Sequence, residues 1–535
     1  MPRPTERRSF WTWGYVSDEP SAEERAKAAK LVSQRLGREI SPPSVPNIEE
    51  IKLRVPRLDV PSRLGEFVTS EHSERITHTY GGHSTELLAA IRGHFPSPPD
   101  AVAHPRNSDE LESVLEWCST NSICAIPYGG GTSVVWGLNV PEKCDSAVSI
   151  DMDCMSGLLE IDQVSRAAKV EAGILGPHLE DALRPHGLTL RHFPQSFPWS
   201  TVGGWIATRS GGHYATNHTH IDDFVESVTM LSPQGWFQSR RLPGSGAGPS
   251  PDRLILGSEG IFGIISDAWL RLQKRPVYRA SLGAMFSDWE KGTEAVRAVV
   301  QAKLWPANLR ILDPVEAGVN AGLDGTRSLL ILGFESADVS QQFSIETAAE
   351  IVRDYGGEFE QEDILVADGT GRATGRGGKV GAWRQSFIGV NAGVGLGLGL
   401  LSDTFETAIT WDQWPSFDAY IRDKVGSVLR EVLGESSTLA CRFTHVYPDG
   451  PAPYYSFSGP VPIGEEFKHW KAIKDAASEA VVDAGGTITH HHAVGRMHKS
   501  GWAKQTPLGY DQVLRAIKKE FDPQGVLNPG VLVDP

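Results

Sequence analysis

The sequence predicts an α+β fold in two large lobes, and three observations carry that expectation. At 535 residues the chain is longer than one core ordinarily supports, so two large lobes with extensions are expected. Its early apolar stretches alternate between strand and helix patterns, while later ones fall as strand runs that pair. Three glycine-bearing segments, 127–133, 200–205 and 257–265, punctuate the first half, where loops need close backbone approach.

Taken in order, residues 1–95 are Pro-rich and charged, with one helical stretch at 21–38, and form an extension wrapped around the body. The first lobe spans 96–276. Ala101–Ala103 is a short strand that ends before Pro105. Asn107 and Glu110 stand at capping-box spacing, and Leu111, Val114, Leu115 and Cys118 recur on one helical face. Strands are expected at 123–126, 147–152, 167–172, 225–231 and 261–272, with a second helix from Pro177 that stops before Gly187. The Gly/Pro run 243–249 is a surface loop. From 277 to 487 the pattern changes to runs at 305–312, 328–335, 406–414 and 441–457 with a helix at 340–355. This is expected to be an α/β lobe capping the first, with a pocket at the seam. Residues 488–535 close the chain.

Hydrophobic content of 40% and charged content of 22% fit a globular protein with an ample core. A net charge of −15 argues against nucleic acid or anionic membrane as partner. Five cysteines without a C-x-x-C pair point to reduced thiols in a reducing compartment. Arg3, Arg7 and Arg8 precede no apolar run, so no secretory signal is visible. The longest apolar stretch, 388–401, is broken by Asn391 and alternate glycines and falls short of the ~20 residues of a membrane span. The final Val-Asp-Pro is not a peroxisomal tripeptide, and a cytoplasmic location is expected.

The chemistry begins at Pro127-Tyr-Gly-Gly-Gly-Thr-Ser133, where a strand delivers three glycines whose amides can crowd an anion. Alone, such a loop is also a plain tight turn. Taken with the two later glycine segments, its order and wording resemble the flavin domain of the vanillyl-alcohol-oxidase superfamily. Within that superfamily the resemblance is to the alkyldihydroxyacetonephosphate synthase family, extending to the leader Phe10-Trp-Thr-Trp-Gly-Tyr15 and the tail 521–530. It implies an α+β fold with a PCMH-type two-subdomain FAD-binding lobe at 96–276 and an α/β cap (substrate) domain at 277–487. It also implies that the C-terminal segment 488–535 returns to the FAD lobe and active site.

FAD is the implied cofactor. Pro127, Tyr128, Gly129, Gly130, Gly131, Thr132 and Ser133 match the first flavin segment. Gln195, Ser196, Ser200, Thr201, Gly204, Thr208 and Gly211 match the second, with Gln195 where the family has an acidic residue. Glu259, Gly263 and Ile265 match the third. Several superfamily members tether flavin to a histidine in the first loop; Thr132 stands here, so the resemblance implies non-covalent FAD. A preorganised loop holds such a ligand without reorganisation, and the ring then does the redox chemistry.

The resemblance places catalytic roles in the second lobe. Arg310 stands where the family has an essential arginine; a guanidinium there stabilises negative charge on the ring or grips an anionic substrate. The alternative is an ion pair with Asp313. Tyr454 matches a proton-relaying tyrosine, expected to have its pKa lowered by nearby cations; the alternative is a packed strand aromatic. Tyr447 and Tyr455 are weaker candidates. His490, His491 and His492 match a triple histidine that handles protons. On a strand His490 and His492 would share a face and His491 would point away. Metal ligation and a structural role are the other readings of the triplet; no metal is assigned, because the His-Glu-His wording of metal-binding relatives is missing. Glu406 matches a signature ordering the substrate side, with Arg442 and His445 as further substrate candidates.

One departure bears on substrate. The family carries a phosphate-binding arginine upstream of its signature tryptophan, and the same count back from Trp411 falls on Ala392, among glycines. Losing a charge-assisted bond worth roughly 1.5–3 kcal/mol weakens binding of a phosphorylated ester. Two enzyme functions follow for a small-molecule substrate. One is an FAD-dependent oxidoreductase moving hydride from a hydroxylated substrate to flavin N5, with oxygen or a carrier as electron acceptor. The other is exchange of the acyl group of acyl-dihydroxyacetone phosphate for a fatty alcohol. A non-enzymatic flavin-binding protein would leave the proton-transfer residues idle. Family members often dimerise, and no residue pattern here fixes a homodimer interface.

Overall fold

The computed structural model describes residues 6–214, 216, 218–369 and 393–533, and structural statements below concern those residues. The N-terminal wrap contains the helix Ala22–Leu36. The Ser21 hydroxyl accepts from Glu24 N, Glu24 accepts from Ser21 N, and Gly37 ends the helix in the left-handed region. The leader is tied to the body by Arg8, which pairs with Asp151 at 3.0 Å and donates to the Gly129 carbonyl at 3.0 Å.

β1 (Val68–Thr69), β2 (Ala101–Ala103), β3 (Cys124–Tyr128) and β4 (Ala147–Asp151) form a sheet of order β1-β2-β4-β3, with β4 parallel to β2 and β3. The helix Ser108–Thr120 buries Leu111, Val114, Leu115 and Cys118 in the apolar cluster beneath it. Only half of the expected capping box forms. Asn107 accepts from Glu110 N at 3.0 Å, but the Glu110 carboxylate turns outward to the backbone and guanidinium of Arg106. The expectation of wholly reduced thiols is also corrected. Cys124 opens β3, Cys144 lies in the turn before β4, and the parallel pairing brings them into a disulfide. Cys118, Cys154 and Cys441 are buried and outside that disulfide.

β5 (Leu158–Asp162), β6 (Ala167–Glu171), β7 (Leu188–Thr189), β8 (Val225–Ser232), β9 (Gly235–Gln238), β10 (Ile264–Arg271) and β11 (Gln273–Lys274) follow. Five of them build an antiparallel sheet of order β5-β6-β10-β8-β9, and β7 pairs with β11. The second lobe is one seven-stranded sheet built from β12 (Tyr278–Phe286), β13 (Asn308–Leu312), β14 (Ser328–Ser336), β15 (Leu365–Asp368), β16 (Leu400–Glu406), β17 (Thr438–Val446) and β18 (Pro451–Pro460). Its order is β15-β12-β14-β13-β17-β18-β16, and every described pairing is antiparallel. Helices Trp289–Gln301, Gln342–Asp354, Trp414–Leu433 and Glu466–Asp483 share one apolar cluster with it.

Two sequence expectations are redrawn in this sheet. The run 406–414 is not a strand: β16 stops at Glu406, and the chain turns into the helix Trp414–Leu433, which has a proline in its first turn. The run 441–457 is a hairpin, because β17 and β18 fold back through the turn between Val446 and Pro451. The C-terminal tail is held by Lys518, whose ammonium pairs with Asp522 and donates to the carbonyls of Ile261 and Leu527 at 2.7 Å each. Among the described residues no helix is long and apolar enough to cross a membrane.

Candidate active site

A cavity of about 530 Å³ lies where the glycine segments meet the seven-stranded sheet and the histidine loop. Residues 127–133 line it together with Gln195, Ser196, Ser200, Thr201, Gly204, Thr208, Gly211, Glu259, Gly263 and Ile265. The glycines are required for a reason different from the expected one. A Cβ on Gly130 would strike the Trp199 carbonyl, and Gly131 sits at φ +70 against the Tyr128 ring. The loop is therefore pressed onto the second glycine segment, and this packing leaves its backbone open to the cavity. Thr132, Ser133, Ser196 and Thr208 belong to the same lining, and they carry no charge.

Glu259 is the carboxylate on this wall, and it is turned away. It accepts from Val494 N at 2.9 Å and Gly495 N at 2.7 Å, binding the C-terminal segment to the first lobe. Burial pushes its carboxyl up to about 7 against the pull of those two amides. An anionic dinucleotide here meets amides and hydroxyls and no free carboxylate, so the residues present fit FAD.

A second part of the lining, with the groups behind it, is set by strand register. Glu406 on β16, Tyr454 on β18 and Arg442 on β17 stand directly across from one another on three adjacent strands. The Arg442 guanidinium lies 4.2 Å from the Tyr454 ring centroid and pairs with Glu316, so it backs the tyrosine and does not line the cavity. Tyr454 lines the cavity and donates to Thr404 Oγ1 at 3.0 Å. Its expected low pKa is corrected: burial raises it, and the opposing pull of Arg442 does not overcome that. Tyr455 faces the core, stacked on Phe405 and donating to Asp418 at 2.8 Å.

Arg310 lines the cavity with 1% of its surface exposed. It donates to Asn308 Oδ1 at 3.1 Å and to the His213 carbonyl at 2.7 Å. The alternative ion pair with Asp313 is absent, because Asp313 is held by Arg422 at 3.0 Å. Burial, with Arg442 adding repulsion, brings the Arg310 guanidinium down to about 9.

The triple histidine is not a strand. Its peptide N–H groups wrap around one carboxylate: Glu406 accepts from His490 N at 2.8 Å, His491 N at 3.1 Å and His492 N at 3.1 Å. That turn exchanges the expected places of His490 and His491. His491 and His492 line the cavity, while His490 points behind it to Tyr447, whose hydroxyl lies 2.7 Å from Nε2. Glu406 is likewise behind the wall. Burial pushes its carboxyl up, but the imidazoles, His491 foremost, hold it well below the usual range. His491 Nδ1 lies 3.2 Å from Glu406 Oε2. The same nitrogen lies 3.1 Å from His490 Nδ1; an ionised carboxylate only accepts, so a proton on His491 Nδ1 would serve both contacts and leave Nε2 as the accepting nitrogen.

His445 lines the cavity with Nε2 2.9 Å from the Gly212 carbonyl. Burial holds His445 and His490 well below the ordinary imidazole range and brings His492 down to about 3, so all three are neutral near pH 7. Gly211 brings the lobes together here, since a Cβ on it would press on His445 and His491. His445, His490 and His491 could hold a cation by geometry alone. Ala392 lies outside the described residues.

Sequence reasoning missed His83, Asp403, Thr404, Lys474 and His498, which also line the cavity. Lys474 carried a signal: it occupies the buried stripe of its helix, with Trp470, Ile473, Ala477 and Val481. The others lie far apart in sequence and converge only by folding.

Comparison with known proteins agrees with this geometry. Residues 99–239 match the family model described as FAD binding domain, and 275–532 match FAD linked oxidases, C-terminal domain. The chain is an FAD-dependent enzyme of the PCMH-type, FAD-linked oxidase class. Within that class it resembles alkyldihydroxyacetonephosphate synthase: it is 28% identical to that protein of Caenorhabditis elegans over 87% of this chain and 81% of the relative. It is also 25% identical to an uncharacterized FAD-linked oxidoreductase of Escherichia coli (strain K12), over 83% of this chain and 90% of the relative. A solved alkyldihydroxyacetonephosphate synthase structure superposes with a TM-score of 0.73 at 23% identity, covering 91% of this chain and 87% of that one. p-Cresol methylhydroxylase does so with 0.65 at 15%, covering 96% and 98%, which is a likeness of fold.

Proposed function

We propose that this chain oxidises a hydroxyl-bearing organic substrate, with FAD held non-covalently as the hydride acceptor. The observation that carries the reading is the Glu406–His491 pair, 3.2 Å apart, with His491 on the lining of the cavity that the glycine loop also lines. When bound, FAD supplies a two-electron acceptor. The chain's own part is acid–base and positional. Glu406 fixes the His491 tautomer, and His491 Nε2 takes the hydroxyl proton as the substrate carbon gives up its hydride and becomes a carbonyl carbon. Tyr454, kept protonated by burial, orients the reacting oxygen, and buried Arg310 supplies positive charge beside it. Oxygen or a carrier then removes the electrons. Thr132 in place of a tethering histidine supports dissociable cofactor.

The likeness to alkyldihydroxyacetonephosphate synthase supports a second reading, the redox-neutral exchange of an acyl group for a fatty alcohol. Air-free mixing separates the two. An alcohol panel that bleaches the flavin, with no ether formed from acyl-dihydroxyacetone phosphate and hexadecanol, supports oxidation. Ether product without bleaching overturns it.

A further inference from the structure

The cavity carries a charged pair that the proton-transfer set does not use. Lys474 and Asp403 both line it, 3.6 Å apart, with side chains 7% and 12% exposed. Asp403 is approached through Oδ2 by three partners: Lys474, the Trp470 indole N–H at 2.5 Å, and His83 Nε2 at 3.4 Å. This leaves Oδ1 as the acceptor a ligand would meet. Lys474 also donates to the Thr404 carbonyl, one residue along β16, and the Thr404 hydroxyl is the acceptor of Tyr454. The pair is thus continuous with the proposed reacting wall. His498 completes it: this imidazole lines the cavity, 5% exposed, and its Nδ1 has no hydrogen-bond partner among the described residues.

A buried ion pair is costly to desolvate, and apolar residues of the same volume often serve stability as well, so its place on a cavity wall calls for a ligand. The chemistry of that ligand follows from the charges. An anion would meet Lys474 but also the Asp403 carboxylate beside it. A hydrocarbon would leave Asp403 Oδ1 and the remaining Lys474 N–H facing no polar atom, since the contacts described for the pair use Oδ2 and the Thr404 carbonyl. A hydroxyl donates to Asp403 and accepts from Lys474, satisfying both. We infer that Asp403, Lys474 and His498 form a subsite for a second, non-reacting hydroxyl, so that the substrate is a neutral polyol and not a phosphate ester. The inference rests on the substrate occupying this cavity, as proposed above.

Binding to the flavin-loaded protein without electron acceptor tests it, read from the ligand-induced shift of flavin absorbance and of Tm. The probes are 1-hexanol, 1,2-, 1,3- and 1,6-hexanediol, and hexyl phosphate. The best diol is expected to bind about tenfold or more tightly than 1-hexanol, with hexyl phosphate weakest. Asp403→Asn is expected to invert the order: hexyl phosphate gains about tenfold, because Lys474 is then opposed by no carboxylate, and the diol loses its advantage. Asp403→Asn/Lys474→Met should lose hexyl phosphate again, with flavin content unchanged throughout. Wild-type protein that prefers hexyl phosphate, or ranks 1-hexanol with the diols, overturns the subsite, and so do variants that shed flavin while keeping the wild-type order. The wild-type ranking needs no variant to fold. It can also be read if no alcohol bleaches the flavin, so it stands or falls apart from the oxidation reading.

Discussion

The two walls of the cavity are built by opposite means. The glycine wall is lined by glycines and by serine and threonine residues, and Glu259, the carboxylate among its described residues, is turned onto Val494 and Gly495. The facing wall presents Arg310, Asp403, Lys474, Tyr454 and the histidines. Asp403 and Lys474 are held by contacts far away in sequence, and Glu406 behind them holds 490–492. A wall of amides holds a ligand whose charge does not change sign during turnover. A wall of buried titratable groups is where protons are exchanged, because burial moves their affinities most.

The largest effect expected is on the second wall. His491→Gln should lower turnover by ~10²–10⁴-fold, as loss of a positioned base does, while absorbance of the bound flavin is kept. A variant of near-normal rate would remove His491 from proton transfer. Gly130→Val tests the first wall in the converse way. Forcing a side chain into the Trp199 carbonyl displaces the loop, and flavin affinity should fall by ~10²-fold in a protein that still melts cooperatively. Retained colour at low flavin concentration would mean the loop is not the cofactor's cradle. Tyr454→Phe removes one hydrogen bond and no charge, so a loss of about tenfold in kcat is expected with KM little changed. The smallest effect is on pH. The Glu406 carboxyl is held below its ordinary value, so its contribution to stability is complete above about 4.5 and is lost as pH falls further. Tm of the wild type should therefore drop more steeply than that of Glu406→Gln between pH 5 and 3, and parallel curves would show that the carboxylate is not what braces the loop.

The glycine wall was legible because its requirements are local. Gly129, Gly130 and Gly131 are adjacent in the chain, and the strand before them aims the loop. Arg310 and Tyr454 were found by family likeness. Their surroundings were not legible, since the pairing of Asp313 with Arg422 depends on how a helix packs beside the sheet, and the cover of Arg442 over Tyr454 on strand register. The histidine triplet was found as a set and misjudged in facing. A periodicity of two holds only for a strand, and the Glu406 carboxylate, 84 residues away, bends that segment into a turn around itself.

By itself the sequence determined the class of cofactor: a glycine run after a strand is ambiguous alone, but with two further glycine segments in matching order and wording it pointed to FAD. Only the tertiary structure decided which histidines reach the cavity and which charged groups line it beside them. Those properties come from desolvation and from partners brought together across the two lobes, and neither quantity is present in a chain read one residue after another.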